Sequence, residues 1–73
     1  MKQASTERVY VDSDAISLIE YNAATKELSV KFKRGGIYRY KGVPKKVFED
    51  LTKTRSKGEY FNRLIRNKYE YSS

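Results

Sequence analysis

Catalysis needs reactive side chains at workable spacings, and this 73-residue chain offers few. It contains no Cys and no His, which removes thiol nucleophiles, imidazole bases, disulfides and soft-ligand metal sites together. The close carboxylate pairs, Asp12 with Asp14 and Glu49 with Asp50, have no partner acid, base or metal ligand at a useful spacing. Gly35 and Gly36 lack the further glycines and the Lys-Ser/Thr element of a phosphate loop. The chain is therefore expected to be no enzyme, with no cofactor, no metal and no small-molecule substrate. Charge is what remains. Sixteen Lys and Arg against nine Asp and Glu give a net +7, which suits a polyanionic or acidic partner. The excess is one-sided: residues 1–30 carry three basic and five acidic side chains, residues 31–73 thirteen and four.

The elements that must position these charges follow from hydrophobic periodicity. Residues 1–14 read as a flexible polar tail, in which Val9, Tyr10 and Val11 could form a short edge strand. Ile16 to Tyr21, Glu27 to Lys33 and Ile37 to Lys41 read as three strands, separated by the turn-like Asn22 to Lys26 and by Arg34-Gly35-Gly36. Pro44 suits the first position of a helix carrying Val47, Phe48 and Leu51 on one stripe. Ser56 and Glu59 have capping-box spacing, and Tyr60, Phe61, Leu64 and Ile65 recur beyond them at helical intervals up to Asn67. Neither helix is long enough to stand alone, so both must cover one face of the sheet. The expected fold is α+β: a three-stranded antiparallel meander followed by two short helices on one face (βββαα), a single domain over residues 15–71.

Register decides which side chains share a face, because a slip of one residue inverts the strand. A four-residue turn pairs Tyr21 with Leu28 and Ile19 with Val30. A three-residue loop at Arg34-Gly35-Gly36 pairs Phe32 with Tyr38 and Val30 with Tyr40. The core face is then Ile19, Tyr21, Leu28, Val30, Phe32, Tyr38 and Tyr40. The opposite, open face reads Ile16, Lys33, Ile37; Leu18, Lys31, Arg39; Glu20, Ser29, Lys41. Five cations and no acid fall between residues 31 and 41. A solvated sheet face would explain Lys and Arg there. The neighbouring Ile16, Leu18 and Ile37 favour a binding surface instead. Arg63, Arg66 and Lys68 sit where a helix macrodipole attracts cations, and Tyr69 and Tyr71 read as closing the core.

The segments AISLIEYNAATKELSVKFKRGGIYRYKGVP and SKGEYFNRLIRNKYEY add a family signal. With Tyr38-Arg39-Tyr40, Gly42-Val43-Pro44 and Gly58-x-Tyr60-Phe61-Asn62, the chain resembles the KTSC domain over about Ala15 to Tyr71. That domain takes its name from the C-terminus of some lysyl-tRNA synthetases. The resemblance implies a small α+β unit, often standing alone in bacterial and phage proteins, and points to RNA binding without establishing it. Size, lone-domain build and the basic second half are also similar to those of small lytic-phage regulators that bind host bacterial RNA polymerase, block initiation and promote read-through of terminators.

Two functions are expected from this reading. In the first, a monomeric transcription regulator docks on host RNA polymerase, with nascent RNA within reach. It would use Lys31, Lys33, Arg34, Arg39 and Lys41 with Ile16, Leu18 and Ile37, and an N-terminal strand at Val9, Tyr10 and Val11. In the alternative, an RNA or tRNA backbone binder adds Lys45, Lys46, Arg55 and Lys57 to the same cations. Strand aromatics turned towards the core argue against base stacking on the open face. No apolar run approaches the ~18 residues of a membrane span. The start of the chain lacks a secretory pattern, and a bacterial cytoplasm is expected.

Overall fold

The computed structural model describes residues 6–72. The chain is α+β, with one antiparallel sheet in the order β1-β2-β3-β4-β5 and two helices against one of its faces. The strands are β1 (Thr6–Tyr10), β2 (Ile16–Asn22), β3 (Glu27–Phe32), β4 (Ile37–Tyr40) and β5 (Tyr71–Ser72); the helices are α1 (Lys45–Lys53) and α2 (Lys57–Leu64). The expected meander is β2-β3-β4, and the strand count of three is corrected. Within the stretch read as a tail, β1 pairs with β2 over five residues and makes a fourth full strand. At the far edge two residues of the C-terminal tail pair with Arg39 and Tyr40 of β4. Residues 1–5 of the expected tail lie outside the described residues.

Both hairpins owe their form to residues that bend the backbone locally. In the first, the Asn22 side chain accepts hydrogen bonds from the backbone N–H groups of Ala24 (2.9 Å) and Thr25 (3.2 Å). Tyr21 then faces Leu28 and Ile19 faces Val30, as the alternation requires. The second hairpin is two residues out of the expected register: Tyr38 faces Val30 and Tyr40 faces Leu28. Gly35 and Gly36 take φ of +105° and +94°, and the Phe32 N–H donates to the Gly36 carbonyl at 3.1 Å, so the loop opens from three residues to five. A slip by an even number leaves every side chain on its face. The expected core face therefore survives the wrong pairing.

A slip by an odd number occurs once. At the start of β2, Ile16 faces Phe32 while Leu18 faces Lys31, so Ser17 is an extra residue, a β-bulge. The Ser13 hydroxyl accepts from the N–H groups of Ala15 (3.1 Å) and Ile16 (3.2 Å), and the Lys33 N–H donates to the Ala15 carbonyl (2.8 Å), which fix the bend. The bulge turns Ile16 inward, where it is 0% exposed. The expectation that Ile16 lies on the open face as a partner anchor is wrong for this reason.

The core is Ile16, Ile19, Tyr21, Leu28, Val30, Tyr40 and Val43, closed by Phe48 and Leu51 from α1 and by Phe61 and Ile65 from the second helical segment. Phe48 stacks on Tyr21 with ring centroids 5.0 Å apart and 12° between planes. The Tyr21 hydroxyl donates to the Val43 carbonyl at 2.6 Å, tying the sheet to the turn that enters α1. Pro44 stands one residue before α1, as its N-cap, rather than inside it. Ser56 is the N-cap of α2, but its side chain makes no capping hydrogen bond, so the Ser56–Glu59 spacing is not used as a capping box. The helix stops at Leu64, three residues before Asn67, and turns through 65–68. Leu64, the last residue of α2, is exposed rather than part of the buried stripe.

Candidate functional site

Residues directly opposite on paired strands share a face, so the register spells out the open side of the sheet. One row is Tyr10, Leu18, Lys31 and Ile37, and the next is Arg8, Glu20, Ser29 and Arg39. Arg8 donates to Glu20 at 2.7 Å, and this contact holds the guanidinium above its ordinary pKa. Tyr10 is 74% exposed and Ile37 39%, with Leu18 half-buried between Tyr10 and Lys31. Two of the three expected apolar anchors therefore reach this face, and Tyr10 joins them. Val9 and Val11 do not, because both pack against the core.

The expected cations divide by their surroundings. Lys31, Arg34, Arg39 and Lys41 are exposed and, among the described residues, belong to no ion pair. All four lie on the β3–β4 hairpin or immediately after it. Lys33 has left the row expected for it and sits 3.5 Å from Asp12. Of the alternative set, Lys45 pairs with Glu7 at 3.2 Å and Lys46 with Asp50 at 3.5 Å. Lys57 donates to the Thr54 carbonyl at 2.7 Å. Arg55 and Lys57 line a depression with Asp12, Asp14 and Glu59, where charges offset one another. Four unpaired cations thus share the hairpin, and Arg63, Arg66 and Lys68 at the end of α2 are likewise exposed and, among the described residues, outside any ion pair.

The other face of the same hairpin carries a feature that sequence reasoning missed. Five aromatic rings form a closed circuit of contacts. Phe32 meets Tyr38 (5.5 Å between centroids), Tyr38 meets Tyr71 (5.4 Å), Tyr71 meets Tyr40 (5.4 Å), Tyr40 meets Phe61 (5.4 Å) and Phe61 meets Phe32 (5.1 Å). Beside them opens a cleft of about 290 Å³ between the hairpin and α2. It is lined by Phe32, Tyr38, Tyr40 and Phe61 together with Arg34, Gly35, Asn62 and Arg66. Asn62 and Arg66 are one helical turn apart and their side chains lie 3.4 Å from each other. That spacing beside Phe61 was the available signal, and the macrodipole explanation of Arg66 concealed it. Burial pushes the Tyr40 phenol above its ordinary pKa, an effect that Tyr71 reinforces and Arg66 opposes.

The sequence pattern of the KTSC domain matches residues 12–69. The chain belongs to the KTSC domain family. A KTSC domain protein from Yersinia pestis has a crystal structure that superposes with a TM-score of 0.88 at 29% identity, covering 93% of this chain and 96% of that one. A lysine–tRNA ligase of Nostoc punctiforme is 35% identical over 60 residues, 82% of this chain but 11% of the ligase. A protein of Tsukamurella paurometabola is 34% identical over 59 residues and is matched over 88% of its length. The KTSC domain therefore occurs both as a small part of a tRNA ligase and in chains of about its own size. None of these relatives has a name connected with RNA polymerase, so the similarity to phage regulators gains no support from them. Among the described residues, no helix is long and apolar enough to cross a membrane.

Proposed function

We propose that this KTSC domain is a non-catalytic RNA-binding module that grips the sugar–phosphate backbone through the β3–β4 hairpin. The carrying observation is the set Lys31, Arg34, Arg39 and Lys41, exposed on one hairpin and, among the described residues, outside any ion pair. Such cations release condensed counterions when they meet phosphates, which makes binding strong at low salt and steeply salt-dependent. The occurrence of the domain within lysine–tRNA ligases agrees with an RNA partner. Loss of Ile16 from the open face weakens the case for a protein-docking surface built on three apolar anchors.

The test is affinity for a single-stranded RNA as a function of salt. Each neutralised phosphate contributes a log–log slope of about −0.7 on single strands. The double variant Lys31→Glu/Arg39→Glu is expected to bind on the order of tenfold or more weakly, with a slope shallower by about 1.4. Both side chains are exposed, so the fold should tolerate the change. An unchanged slope would remove the hairpin from the interface.

A second reading has an observation of its own. The row Tyr10, Leu18, Lys31 and Ile37 mixes exposed apolar surface with a cation on a rigid sheet, which suits a protein partner such as host RNA polymerase in a bacterial cytoplasm, with inhibition of initiation and antitermination as the outcome. Binding anchored by Tyr10 and Ile37 would depend only weakly on salt, which separates it from the first reading.

A further inference from the structure

We propose that the aromatic cleft between the β3–β4 hairpin and α2 receives one unpaired nucleobase of a bound RNA strand, with Arg34 and Arg66 holding the adjoining phosphates. The inference rests on the RNA-binding reading and adds to it a separate site on the opposite face of the same hairpin. Lys31 and Arg39 face one side of that hairpin; Tyr38 and Tyr40 face the other. A strand that crosses the hairpin tip at Arg34 can touch both.

Three observations converge on this occupant. The cleft is lined by Phe32, Tyr38, Tyr40 and Phe61. Tyr40 and Phe61 are buried beneath it, whereas Phe32 and Tyr38 are only half-buried and keep ring surface open, and an aromatic ring accepts any base because every base has a π-face. Its volume of about 290 Å³ lies just below the range of about 300–1,000 Å³ for small-ligand pockets. It therefore suits a single nucleotide and not a peptide helix some 10–12 Å across. Two guanidinium groups at its margin supply positive charge, which suits a planar ring that carries an anion.

Tyr40 also lines the cleft. Its phenol, neutral at ordinary pH, can donate as well as accept, so the edge of a base seated there meets a hydrogen-bonding group. The Asn62 amide adds a further polar group able to meet a base edge.

The test compares a uridylate hexamer with an abasic ribose-phosphate hexamer of the same length and charge, both at low salt. The intact strand should bind roughly five- to 150-fold more tightly, the span reported for one base–aromatic stack. Tyr38→Leu should erase that difference while leaving the abasic affinity unchanged. In the unmodified protein, ring-proton signals of Phe32, Tyr38 and Phe61 should move with the intact strand and stay still with the abasic one. Equal affinities with stationary ring signals would overturn the cleft proposal and leave the RNA-binding reading standing. Failure of both strands to bind would end both. Ring signals that respond to RNA polymerase and not to RNA would assign the cleft to a protein.

Discussion

Replacing Tyr21 by alanine is expected to lower the folding free energy by about 3–5 kcal/mol. Tyr21 is 1% exposed, its ring stacks on Phe48, and its hydroxyl donates to the Val43 carbonyl at 2.6 Å. It therefore joins the centre of the sheet, α1 and the turn that leads into α1. Truncating a large buried aromatic costs about 3–5 kcal/mol. Domains have about 0.05–0.15 kcal/mol of stability per residue, so a chain of this length has about 4–11 kcal/mol in all. The substitution removes between about a quarter and all of that. Tyr21→Phe keeps the stack and loses only the hydrogen bond, leaving a buried carbonyl unpaired, at about 1–3 kcal/mol. Urea denaturation of the two variants checks the ordering. If both fell within about 0.5 kcal/mol of the parent protein, Tyr21 could not have the role described.

The second large effect concerns the bulge. Ile16→Asp should destabilise by more than about 4 kcal/mol, because it puts a carboxylate into a fully apolar site and removes core packing. Ile37→Asp, made on the open face beside Lys31, should stay within about 0.5 kcal/mol of the parent. In an unbroken β2 the two isoleucines would lie on the same open face and the two substitutions would be alike. The midpoints of thermal unfolding decide the matter: a small effect at Ile16 would mean that the bulge at Ser17 does not form.

These two isoleucines also show what could be read from the sequence alone. Strict alternation in β3 and β4 identified Leu28, Val30, Phe32, Tyr38 and Tyr40 as one face, and that assignment outlived an error of two residues in the second hairpin, because parity is all that facing requires. The bulge breaks parity and was missed, although the neighbouring apolar pair Leu18-Ile19 between Ile16 and Tyr21 carried the signal: no unbroken strand can bury Ile16, Ile19 and Tyr21 together. β1 was harder to see. Its residues Thr6 to Tyr10 are mostly exposed and polar, so its place depends on pairing with β2 and not on its own hydrophobicity. The cleft could not be read from periodicity at all. Phe32, Tyr38, Tyr40 and Phe61 all belong to apolar stripes, and the space beside them depends on how α2 lies on the hairpin and on where it ends. Conversely, the cations Lys31, Arg34, Arg39 and Lys41 were found from composition and register. Which basic side chains lack an acidic neighbour is, among the described residues, a tertiary fact that depends on where Glu7, Asp12, Glu20 and Asp50 lie.

In the proposed function the β3–β4 hairpin contacts RNA. An amide-shift titration of the labelled protein with single-stranded RNA, repeated with purified RNA polymerase, tests it most directly. RNA is expected to move the signals of residues 31–41 and, with them, those of Asn62 and Arg66, while β1 and α1 stay unchanged. Shifts confined to Tyr10, Leu18 and their neighbours on polymerase addition, with none on RNA addition, would contradict it.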